Sequence, residues 1–187
     1  MKEKTSEPNV LAAFGPHRYF SISECMALSL ISSDNRCANA LLQLVGLTDF
    51  REYMALNFGI DIQKFSDFSD ESLRERVAEM RATATDVVKI LQHLDSRPAY
   101  AQIKYYTHNC LNRSRIVSEI EVSNTSSVRN KTGTLTPIGV FSDAASIEKF
   151  GNKIQIVHMT ERCPSIHHAN QVSALLGQFA LEICHDR

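Results

Sequence analysis

Ser33, Asp34 and Asn35 stand together between two apolar stretches, and Lys131, Thr132, Gly133 and Thr134 stand together far downstream. A serine hydroxyl donates and accepts at once, so it can relay a proton, and a lysine ammonium offers three donors and a charge. A glycine in a strand lets backbone come close to a ligand, because any Cβ would intrude. Read singly, the first triplet is a helix N-cap and the second an exposed strand with a lysine and a turn glycine. Other constellations carry less. Cys163, His167, His168, Cys184 and His185 match no closed zinc pattern, so no metal and no cofactor is read here. His17, His93, His108 and His158 are isolated and read as surface or satisfied histidines, and there is no glycine-rich phosphate loop.

The 187 residues suffice for one domain with a core and are short for two. The formal net charge is −1 and no basic stripe stands out, which argues against a nucleic-acid partner. No apolar run approaches the roughly 20 residues of a membrane span. The polar start, Met1 to Asn9, has no apolar core of a signal peptide. Five cysteines, Cys25, Cys37, Cys110, Cys163 and Cys184, lack regular spacing and read as reduced, mostly buried thiols.

The elements that must position the two triplets follow from pattern. Residues 1–20 are polar and irregular. Ser21 and Glu24 form a capping box ahead of a short helix that ends at the Ser32–Asn35 corner. Asp34 or Asn35 can cap the next helix, which Gly46 closes, and a third runs from Thr48 to a stop at Gly59. Residues 60–82 read as a long charged loop. Thr83-x-x-Asp86 opens an amphipathic helix through Leu94, and another is expected over 98–111 behind Pro98. Beyond residue 120 the period becomes that of strands: 128–135, 140–147 and 153–159, with Gly151-Asn152 as a two-residue hairpin. A last helix carries the apolar stripe Ile166, Val172, Leu175, Leu176, Phe179 and Ile183. The expected class is α+β: an irregular segment over 1–20, then one domain over 21–187, helical to residue 120 and sheet plus closing helix after it.

In that order, and on those elements, Ser33-Asp34-Asn35 and Lys131-Thr132-Gly133 resemble two of the three signatures of the serine β-lactamases and penicillin-binding proteins, most closely the class A β-lactamases. The resemblance runs from about Phe20 to the end. It implies that Ser33 relays a proton to the leaving nitrogen, that Asn35 faces the substrate amide and that Asp34 holds the corner. It also implies that Lys131 sits beside Ser33 in one cleft, that Thr132 meets a substrate carboxylate, and that the Thr134 N–H forms half of an oxyanion hole. Many relatives carry a carboxylate-binding arginine on the strand after Lys-Thr-Gly. The stretch 138–142 has none, and Arg115, from the segment before the strand, is the candidate instead.

The sequence departs from the family in two places. The third signature, a Ser-x-x-Lys bearing the nucleophile, is absent ahead of Ser33. The one such string, Ser146-Ile147-Glu148-Lys149, lies on a strand, where residues three apart point to opposite faces. The 60–82 loop lacks the family's deacylating Glu-x-x-Leu-Asn; Asp67, Asp70 and Glu71 have no matching partners, and Arg74 stands where the asparagine would be.

The expectation is thus a class A-like β-lactamase represented by its C-terminal portion and inactive alone, with a β-lactam or peptidoglycan-like small molecule as ligand. The alternatives are a non-catalytic ligand-binding remnant and a DD-peptidase or glutaminase relative. The resemblance further implies a periplasmic or secreted protein. It also implies a marginal chain whose bare edge at Lys153–Met159 invites self-association or a complementing N-terminal segment.

Overall fold

The computed structural model describes residues 19–63, 65–68, 82–111, 114–117, 127–149 and 151–185. The first helix, α1 (Ile22–Ile31), starts at the expected capping box: Glu24 accepts from the Ser21 N–H at 2.8 Å and donates its own N–H to the Ser21 hydroxyl at 3.2 Å. Asp34 caps α2 (Asn35–Val45) by accepting from the Cys37 N–H at 2.9 Å. Gly46, at φ +90°, ends α2 and also begins α3 (Leu47–Phe58), so the two helices meet at one residue. Thr83 and Asp86 close a second capping box on α4 (Ala84–Ser96). The stretch expected as one helix after Pro98 divides into a 3₁₀ turn, Pro98–Tyr100, and α5 (Ala101–His108). Asp70, Glu71 and Arg74 lie outside the described residues.

Three strands follow: β1 (Ser127–Leu135), β2 (Val140–Lys149) and β3 (Asn152–Met159), antiparallel in the order β1-β2-β3. Lys149 pairs with Asn152, so Asn152 is already strand and Gly151 lies in the turn before it. This corrects the sequence reading by one residue; Gly151, at φ +78°, supplies the left-handed position. The architecture is α+β, as expected.

The closing helix, α6 (Ile166–His185), corrects another expectation. Its apolar stripe is not the packed face: Leu175 is 64% and Phe179 61% exposed, and Ile166, Val172, Leu176 and Ile183 are also open to solvent. The buried residues are Ala169, Ser173, Ala174, Gly177 and Leu181. Positions 169, 173, 177 and 181 form one i, i+4 ridge, and small side chains there let the helix approach closely. At Gly177 a Cβ would fall 1.9 Å from the Ile116 carbonyl oxygen. The core between this helix and the sheet is Ile116, Val117, Ala145, Ile147 and Leu181, with Val128 and Ile156 against it. Among the described cysteines only Cys37 is buried, where Asp34 and Cys25 crowd it. Burial first, then those neighbours, push its thiol up to about 12.

Candidate active site

The α1–α2 corner is built by one carbonyl. Leu28 accepts from the Ser32 N–H at 3.1 Å, the Asp34 N–H at 3.2 Å and the Ser32 hydroxyl at 2.6 Å. Closing the corner this way leaves Ser33 at φ +58°, a left-handed backbone uncommon for serine. Asp34 turns inward, 1% exposed, while Asn35 opens α2 half-buried beside it. The segment after α5 ties this corner to the sheet: Leu111 donates its N–H to the Ile31 carbonyl at 2.8 Å, and His108 Nδ1 lies 2.9 Å from the Val128 carbonyl.

Against this corner, β1 presents Lys131. Its ammonium donates to the Ser33 hydroxyl, from 98 residues away in sequence, and to the Thr132 carbonyl at 2.9 Å. Burial holds the lysine below the usual ammonium range; the nearby Cys110 and Asp143 oppose that and Arg115 adds to it. A lysine held below its usual range gives up its proton more readily, and the hydroxyl it bonds can take that proton only as it hands on its own.

Arg115 reaches the same strand. Its guanidinium donates to the Thr134 hydroxyl at 2.7 Å, to the Ser142 carbonyl at 2.5 Å and, longer, to the Gly133 carbonyl at 3.4 Å. Gly133 is tight: a Cβ would lie 2.9 Å from the Ser142 hydroxyl. Thr132 is nearly buried and faces Asp143 across the β1–β2 pair. The structure therefore brings Ser33 to Lys131, and Arg115 to Gly133 and Thr134. Ser146 and Lys149 remain apart by function as well as face, since the Ser146 hydroxyl accepts from Arg129 at 3.1 Å.

Two groups escaped the sequence reading. Asp95, on α4, docks that helix on all three strands: it pairs with Arg129 of β1, lies 3.5 Å from Ser146 of β2, and accepts from Gln155 of β3 at 2.8 Å. Burial pushes its carboxyl up, but Arg129, Gln155 and Lys153 outweigh that and hold it below the usual range. Asp143, 1% exposed, accepts from the Ser114 hydroxyl at 2.6 Å and the Ile116 N–H at 3.1 Å. Its burial pushes the carboxyl up against those bonds. An aspartate at an inward position of β2, between the apolar positions 141 and 145, was a signal that could have flagged it.

Comparison with known proteins fixes the family. A model of the β-lactamase enzyme family matches residues 1–185. The chain belongs to the β-lactamase enzyme family. Among solved structures it is similar to the β-lactamase of Sphaerobacter thermophilus, with a TM-score of 0.70 and 23% identity over 89% of this chain and 65% of that one. It is also similar to the W229D mutant of a class A β-lactamase from the last common ancestor of Gram-negative bacteria, with a TM-score of 0.73 and 20% identity over 90% and 67%. The chromosome-encoded β-lactamase of Vibrio parahaemolyticus gives a TM-score of 0.69 and 17% identity over 90% and 66%. At these identities the likeness is one of fold, and this β-lactamase-family chain spans about two-thirds of the length of each. No curated protein matches it in sequence. Among the described residues no helix is long and apolar enough to cross a membrane.

Proposed function

We propose that the cleft between the Ser33 corner and β1 is the carboxylate-binding and proton-relaying part of a β-lactam-recognising acyl-transfer site. The observation that supports this reading is the Lys131–Ser33 hydrogen bond across a strained corner, with Arg115 hydrogen-bonded to the same strand as Lys131. Arg115 and the Thr132 and Thr134 hydroxyls receive the substrate carboxylate, Asn35 its amide side chain, and Gly133 lets the ring approach the strand. Lys131 keeps local potential positive while Ser33 passes a proton to the leaving nitrogen. The step these groups do not supply is nucleophilic attack, which needs an activated hydroxyl.

Binding and turnover therefore separate. The 187-residue chain should bind benzylpenicillin in calorimetry, and Arg115→Ala should weaken binding about 10–100-fold, the loss of a charge-assisted pair. A chromogenic cephalosporin should be hydrolysed no faster than in buffer. Steady turnover that Ser33→Ala abolishes would refute the division, and failure of benzylpenicillin to bind would remove the carboxylate cradle.

A further inference from the structure

We propose that Asp143 is the positioning residue of this cradle, fixing where the Arg115 guanidinium lies on the floor of the cleft. The inference deepens the carboxylate-binding reading and rests on it for the ligand, though not for the geometry.

One carboxylate oxygen of Asp143 takes the Ser114 hydroxyl at 2.6 Å and the Ile116 N–H at 3.1 Å. Those residues flank Arg115, so a single buried acceptor pins the chain on both sides of the arginine. The Ser114 oxygen in turn accepts the Val117 N–H at 3.3 Å, which closes the turn on itself. From beneath, Gly177 of α6 presses on the Ile116 carbonyl at a distance that admits no Cβ. From a backbone held in two directions, the Arg115 side chain runs along β1 and β2 to Thr134 and Ser142. Backbone pinned in this way lowers the rotamer entropy lost when a ligand arrives.

Charge adds to geometry. Burial disfavours the charged form of both Lys131 and Arg115, and for Lys131 the Arg115 guanidinium adds to that; the Asp143 carboxylate favours the charged form of both. Among the described residues the other Asp143 oxygen is buried without a hydrogen-bond partner. A carboxylate kept half-bonded in the interior is costly, and a purely structural cap would be served better by a neutral side chain. A negative charge beneath two cations is what the position supplies and asparagine would not.

The test compares Asp143→Asn and Ser114→Ala with the parent chain, first without ligand. Nitrogen-detected NMR of the Arg115 side chain reads rotation of its guanidinium and exchange of its protons. We expect exchange at least about tenfold faster in Asp143→Asn, with amide protection in α1 and α4 unchanged. Ser114→Ala, which deletes one bond and leaves the charge, should move the same signal less, and it decides the matter if Asp143→Asn does not fold. An unchanged Arg115 signal in both variants overturns the proposal. Benzylpenicillin affinity then gives a double-mutant cycle. Asp143→Asn should weaken binding several-fold in the parent and less than about twofold in an Arg115→Ala background; equal loss in both backgrounds overturns it. If the parent binds no benzylpenicillin, the cradle reading fails while the ligand-free signal still decides the role of Asp143.

Discussion

The two faces of the sheet hold their helices by different means. On the cleft face, α4 is docked by one carboxylate, Asp95, that reaches a side chain on every strand. On the other face, α6 lies down through the small residues Ala169, Ser173 and Gly177 and seats Leu181 in the core. Ionic docking is directional and leaves room beside it, and Lys131 is half-buried on that same face of β1. Docking by small residues is close and non-polar, and it turns the larger apolar residues of α6 outward. The comparison explains why Lys131 stands on the face held by Asp95 while the apolar stripe of α6 stays unburied beside the other.

The sharpest way to break this comparison is to put a side chain where α6 has none. Gly177→Val should cost about 3 kcal/mol or more in denaturant unfolding, because the obstacle is backbone and cannot swing aside. A near-normal midpoint would mean that the helix sits farther out. On the cleft face, Asp95→Ala should cost about 2–3 kcal/mol, since Arg129 keeps its charge in a mostly buried place without a carboxylate.

The same two faces should answer acid with opposite sign. The Asp95 carboxyl is depressed in the folded state, so its contribution is present above about pH 3.9 and is lost as pH falls through its lower folded value. The Asp143 carboxyl is raised, so ionising it opposes folding at neutral pH. That opposition is relieved as pH falls through its folded value toward about 3.9. In melts over roughly pH 3–7, Asp95→Asn should flatten the acid loss, and Asp143→Asn should remove a gain on mild acidification. Equal pH slopes in the two variants would dissolve the distinction. The smallest effect belongs to the outward stripe. Leu175→Glu with Phe179→Lys should change stability by no more than about 0.5 kcal/mol yet reduce self-association in sedimentation, because an exposed apolar patch of this kind seeks cover. A parent chain that sediments as a monomer would show that the stripe does not drive association.

Most elements were legible because local chemistry announces them. Ser21 with Glu24, and Thr83 with Asp86, mark helix starts within four residues. The face of α6 was misread for a physical reason: periodicity counts large apolar side chains, whereas this packing uses their absence. In the site, Ser33 and Lys131 were visible as parts of motifs and Arg115 through its neighbours. Neither Asp143 nor Asp95 was assigned: the strand alternation marks Asp143 only as inward-facing, and the partners that give each its role lie 27 to 60 residues distant.

The left-handed backbone at Ser33 sets two selective pressures against each other. Glycine accepts φ near +58° without the steric cost that serine carries, so by backbone energetics it is the favoured occupant. Only serine brings the hydroxyl that meets Lys131. A library of this chain ranked by melting temperature alone would therefore enrich glycine at position 33, and the best-folded survivors would be those that had discarded the hydroxyl bonded to Lys131.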